Sequence, residues 1–155
     1  MKGGLLPGAL AGAAGTTALN VVTYADMVLR GRPASRVPEQ TVEAIADRVG
    51  LPLGEDETAA HRRQALAALL GLGVGVGVGA GYGLIGAGTR RGHAAAVLGI
   101  AASVAGEVPA VAFGLTDPRS WGAAGWISDL VPHLAYGLVT AVTYDRLTRC
   151  ATRPR

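Results

Sequence analysis

The sequence predicts an all-α membrane fold: a polytopic four-helix transmembrane bundle with one short amphipathic helix in its long first loop. Three observations lead there. Four long apolar stretches, Leu5–Leu29, Ala65–Gly88, Ala94–Leu115 and Ile127–Leu147, cover most of the 155 residues. Each is long enough to cross a hydrocarbon core of about 30 Å at about 1.5 Å per residue. Only 16% of the residues are charged and half are hydrophobic, whereas a soluble domain carries about a quarter charged residues. The mean hydropathy is +0.35. The charges gather in residues 30–63 and near the C-terminus. The whole chain reads as one membrane domain, 1–155, with the lipid bilayer as its first partner.

The first span begins close to the N-terminus, where Lys2, an apolar run and small residues imitate a signal peptide. Pro7 and the glycines make a poor signal core, and the apolar character continues through Val21 and Val22, so a retained helix is expected. Gly4, Gly8 and Gly12 recur every four residues and form a stripe that lets another backbone approach. Arg30, Gly31, Arg32 and Pro33 end the helix.

The long loop 34–63 contains an amphipathic helix over Pro38–Val49. Val42, Ile45, Ala46 and Val49 share one face. Pro38 suits the first helical position, and Gly50 with Pro52 stops it. Its polar face is net acidic (Glu39, Glu43 and Asp47 against Arg48), which argues against anionic lipid and for a lid over the other helices.

The second span opens on acids, Glu55, Asp56 and Glu57, as the helix dipole favours. Its glycines alternate from Gly71 to Gly83. Alternation is formally a strand signal, but a lone strand in a bilayer leaves its backbone unsatisfied. Read as a helix, the segment carries Gly71, Gly75, Gly79 and Gly83 on one face as a packing stripe, with Gly73, Gly77 and Gly81 nearly opposite. Close packing on two sides is expected, which places this helix centrally or between the bundle and a second copy. The run lacks the GK[ST] ending of a phosphate-binding loop.

In the third span, Pro109 removes a backbone donor and is expected to bend the helix and free a carbonyl one turn back, near Ala105. A turn follows around Asp117 and Pro118. The fourth span is expected to start at Ser128, a good N-cap.

Polar residues inside such spans are costly and need a reason. The spans alternate direction, so their polar residues can be placed in depth from the helical rise. Measured from the side that carries the long loop, Asp26 lies about 5 Å in, His133 about 9 Å, Glu107 about 12 Å and Asn20 about 14 Å, with Asp129 shallower. These residues and Tyr136 form a candidate intramembrane polar cluster, a pocket opening to the loop side. Each has a plain alternative. Asp26 is four residues before Arg30 and can pair with it. Asp129 sits where a helix N-terminus favours a carboxylate, and His133, four residues on, can bond to it. Glu107 is far from any helix end and has no basic residue within a turn, which makes it the strongest candidate for a proton or ion path. His61 and His93 lie beside arginines in loops and read as solvated.

Several function classes are excluded or disfavoured. A pI near 9.5 reflects a net charge of only +3, with basic residues flanking apolar runs, so nucleic acid is not the expected partner. The single Cys150 rules out an internal disulfide framework. Glu107, Asp129 and His133 are suitable metal-ligand types but lack a spacing motif, so no metal and no cofactor is expected. No nucleophile–base pair is evident, so no catalytic residue is assigned. The Arg-dominated basic set and the abundant Ala and Gly suggest a GC-rich bacterial genome.

Gly114-Leu-Thr-Asp-Pro118, Trp126-Ile-Ser-Asp129 and Pro132-His-Leu-Ala-Tyr136 together resemble the YagU-like inner-membrane proteins over about residues 114–136. The chain is also similar to small actinobacterial membrane proteins. The resemblance implies a multi-pass protein of the plasma (inner) membrane, with Asp129 and His133 in a recurring arrangement, and brings no reaction with it. Both termini are expected on one side. Basic residues split seven against seven between the two sides, and the short Arg90-Arg91 loop leans towards cytoplasmic termini. Two functional readings stand: a structural or accessory membrane component, alone, as a homo-oligomer or with another membrane protein; and a proton-coupled transporter or proton-responsive protein using the Glu/His/Asp cluster.

Overall fold

The computed structural model describes residues 4–85 and 91–150. It is helical, with no strand among the described residues. The elements are α1 (Leu5–Arg30), α2 (Val37–Arg48), α3 (Asp56–Ile85), α4 (Arg91–Ala112) and α5 (Ala123–Cys150), with a single 3-10 turn at Pro118–Ser120. Three of these helices, α1, α3 and α4, are long and apolar enough to cross a membrane. Helix α5 is comparably long at 28 residues, but Ser128, Asp129, Pro132 and His133 interrupt its apolar character. The residues expected to do chemistry thus weaken the hydropathy of the helix that carries them.

The expected boundaries shift in instructive ways. Helix α3 begins well before Ala65, at Asp56, because the acidic first turn and the following polar turns are helical too. The expected end of that span at Gly88 lies outside the described residues. Helix α4 stops at Ala112, short of Leu115, where Gly114 takes a left-handed φ of 71°. Ser128 is not an N-cap. Helix α5 already begins at Ala123, and Ser128 Oγ donates to the Ala124 carbonyl (2.9 Å) inside it. Asp129 therefore lies well into the helix, and a helix N-terminus does not explain it. Pro109 stands within α4 and Pro132 within α5.

Helix α1 runs between α3 and α5 and packs extensively on both, and α4 packs along α5. Contact between α3 and α4 is sparse, and α2 lies against both. Glycines make the close approaches possible. A Cβ on Gly79 would stand 2.6 Å from Gly12 Cα, and one on Gly8 would stand 3.0 Å from Gly83 Cα. The α4–α5 seam works in the same way: a Cβ on Gly137 would meet Gly99 N at 2.7 Å. Helix α3 is not central, however. Gly73, Gly77 and Gly81 have nothing within 4 Å of a would-be Cβ, and neither does Gly71. Only Gly75, Gly79 and Gly83 meet a neighbour, so α3 packs closely on one face. The inner positions belong to α1 and α5, each of which packs extensively on two long helices.

The interior is small or polar and the exterior large and apolar. Buried residues include Ala11, Ala94, Leu98, Ala102, Ala110, Tyr136, Thr140 and Ala141, whereas Leu6, Val28, Leu29, Leu84 and Ile85 are more than 65% exposed. Water would penalise that arrangement, while lipid tails accept the outer side chains and reward close backbone packing within. Tyr136 is the largest fully buried side chain, and its hydroxyl donates to the Gly75 carbonyl at 2.6 Å, tying α5 to α3. Tyr82 and Tyr144 meet edge to face at 5.2 Å, adding a second tie between the same helices.

Candidate functional site

A cavity of about 630 Å³ opens where α3 and α4 make only sparse contact. Asn20 from α1, Glu107 from α4, and Asp129, His133 and Tyr136 from α5 all line it. Helix α2 covers it through Val37, Pro38, Thr41 and Ile45. The opposing walls of α3 and α4 carry Ala67, Ala68 and Gly71 against Ala102, Ala105 and Gly106. Small side chains on both sides leave the space unfilled.

Local sequence explains how each functional side chain reaches the cavity. Ser103 and Glu107 are four residues apart on α4 and share a face, as do Asp129 and His133 on α5. The α4–α5 contact brings the two pairs together. Ser103 Oγ donates to Asp129 Oδ2 at 2.9 Å, and His133 Nδ1 stands 3.1 Å from Asp129 Oδ1 and 2.8 Å from the Asp129 carbonyl. Asp129 and His133 are 11% and 19% exposed, respectively. Asp129 is thus held from two sides. Glu107 is not: its Oε2 is buried with no hydrogen-bond partner among the described residues. Among the described residues, no hydrogen bond joins that oxygen to Asp129 or His133.

Asp26 stands apart. It does not line the cavity but anchors its rim. Arg30 reaches it at 2.7 Å and Arg32 at 2.6 Å, and Arg30 also donates to Ser128 on α5. The pairing expected between Asp26 and Arg30 is present, with Arg32 joining it. Arg32 itself lines the cavity and shares the Asp26 carboxylate with Arg30.

The lid helix is fastened to both walls. Glu43 pairs with Arg63 of α3 at 2.8 Å, and the Arg48 guanidinium lies 4.1 Å from the centre of the Phe113 ring just beyond α4. Val42 and Ala46 are buried beneath it. Val49, expected on the buried face, lies beyond the helix end and is 70% exposed. Glycines with left-handed backbones flank α2: Gly31 (φ 59°) before it, Gly50 (φ 66°) and Gly54 (φ 93°) after it. His61 and His93 are exposed, in α3 and α4 rather than in loops.

Sequence reasoning missed Ser103, Ser128, Arg32, Tyr24 and Trp121. The four-residue step from Ser103 to Glu107 was a usable signal. Trp121 carried none: its indole donates to Thr116 Oγ1 at 2.9 Å within a turn whose course only the fold decides. Among the described residues, no group of three or more His, Cys, Asp or Glu is placed to hold a metal ion. No family model, curated protein or solved structure matches the chain.

Proposed function

We propose that the four long helices form a transmembrane bundle in the plasma membrane and that the covered cavity binds a small solute in exchange for a proton at Glu107. The observation that carries this reading is the buried, unpartnered Glu107 Oε2 on the wall of a cavity that also collects Asn20, Asp129, His133 and Tyr136. A carboxylate taken out of water without a partner is strongly disfavoured. A proton can supply the missing partner, and so can a bound ligand. Competition between the two is the simplest form of proton coupling. In this reading α5 is the fourth crossing, and its reduced hydropathy reflects the site it carries. The segment resembling YagU-like proteins contributes Thr116, Trp121, Asp129, His133 and Tyr136 to the cavity wall, which is consistent with a recurring site there.

The alternative, a structural or accessory component, is supported by the outer stripe of Gly73, Gly77 and Gly81, where a would-be Cβ meets nothing within 4 Å among the described residues. One experiment separates the two. The purified protein in proteoliposomes with an imposed potential should take up protons, and Glu107→Gln should remove that uptake. Uptake identical in the wild type and Glu107→Gln would leave only the accessory reading.

A further inference from the structure

We propose that the ligand of this cavity is an amphipathic organic cation, its charged centre held by Glu107 and its apolar body lying against α3 and the aromatic rings. The inference rests on the proton-exchange reading above and adds the ligand's chemistry.

Charge balance comes first. The titratable or charged residues facing the cavity are Tyr24 and Arg32 from the α1 side, Glu107 from α4, and Asp129, His133 and Tyr136 from α5. Helices α2 and α3 contribute none to the lining. Arg32 is held at the rim: its Nε binds Asp26, which it shares with Arg30, at 2.6 Å and its Nη1 donates to the Pro33 carbonyl at 3.1 Å. Asp129 has Ser103 and His133. Of the described residues with a buried oxygen that has no hydrogen-bond partner, Glu107 is the one that lines this cavity. One positive charge of the Arg30–Arg32–Asp26 trio stays unmatched at the rim, but among the described residues no ion pair joins an arginine to Glu107, so a cation in the cavity finds an unpartnered carboxylate there.

Shape and surface come second. At about 630 Å³ the cavity falls within the range of about 300–1,000 Å³ typical of small-molecule sites, and is far too large for a bare ion. Leu70, Leu72 and Val74 make the α3 wall apolar, and Tyr24 and Trp121 place two aromatic side chains on the lining, with the fully buried Tyr136 behind them. Aromatic faces attract organic cations, most strongly where water is excluded. An inorganic cation would gain nothing from these walls.

The test uses the full chain in lipid nanodiscs and two probes of the same shape and opposite charge, tetraphenylphosphonium and tetraphenylborate. Titration calorimetry in two buffers of different ionisation enthalpy reads binding and proton release together. The expected result is saturable binding of the phosphonium ion alone, with about one proton released per cation, and binding at least tenfold weaker in Glu107→Gln. Gly106→Leu provides a second variant that does not alter the charge. Gly106 lines the cavity, and its would-be Cβ meets nothing within 4 Å, so the leucine fills the space and should abolish binding. Equal binding of both probes, or phosphonium binding unchanged in both variants, would overturn the proposal. Glu107-dependent proton uptake into proteoliposomes with no phosphonium binding would overturn the cation and leave the proton-linked cavity standing. Glu107-dependent cation binding without proton release would keep the ligand class and overturn the proton linkage.

Discussion

The middle and the C-terminal part of α3 both carry small residues and do opposite things. Towards its C-terminus, Gly75, Gly79 and Gly83 meet Gly8 and Gly12 of α1 so closely that a single methyl group does not fit. Towards the middle, Ala67, Ala68 and Gly71 look across at Ala102, Ala105 and Gly106 of α4, and a cavity separates them. Small residues permit close packing but do not compel it. What decides is whether the facing helix arrives with its own small residues in register. Helix α1 does; α4 is held away, following α5 on one side and leaving α2 to bridge the gap.

The sharpest way to break this contrast is to make one substitution at both places. Gly79→Leu should cost about 3 kcal/mol, because the new side chain must push apart two backbones that have no slack. The fall should be visible in the reversible unfolding of the detergent-solubilised protein. Gly106→Leu, measured in the same way, should leave stability unchanged or raise it by about 0.5–1 kcal/mol, since a helical glycine gives way to a good helix former in open space. Equal losses at both positions would mean that the α3–α4 gap closes in the membrane. The smallest expected effect concerns the lid. Glu43→Gln removes the ion pair to Arg63, in which Glu43 is 47% exposed, and pairs this exposed contribute less than about 1 kcal/mol. Global unfolding should barely shift, while amide exchange within Val37–Arg48 should quicken. Unchanged exchange there would mean that the Arg48–Phe113 contact and the buried Val42 and Ala46 hold the lid without help.

Much of the site was legible in the sequence because depth follows from helical rise. Asn20, Glu107, Asp129, His133 and Tyr136 could be placed in one half of the protein by counting residues, and the structure brings them to one cavity. Azimuth was less legible. Asp26 has the right depth, yet it turns to Arg30 and Arg32 and stays at the rim. Ser128 illustrates a different failure: local capping chemistry marked a helix start that the chain passes through, because Gly122 and the Trp121 turn already set α5 on its course.

Apolar run length, the dearth of charge and the positions of the carboxylates along each helix are one-dimensional properties, and the sequence by itself determined them: a helical protein with spans fit for a membrane and acids within them. Which glycine face finds a partner, which helices take the inner positions, and whether Glu107 is left without a hydrogen bond depend on how helices are rotated and spaced about one another. Those are decided by contacts between residues far apart in the chain, such as Gly12 with Gly79, Tyr136 with Gly75, and Ser103 with Asp129. Only the tertiary structure holds them, because van der Waals packing and hydrogen bonding act across space and leave no periodic mark on a single helix.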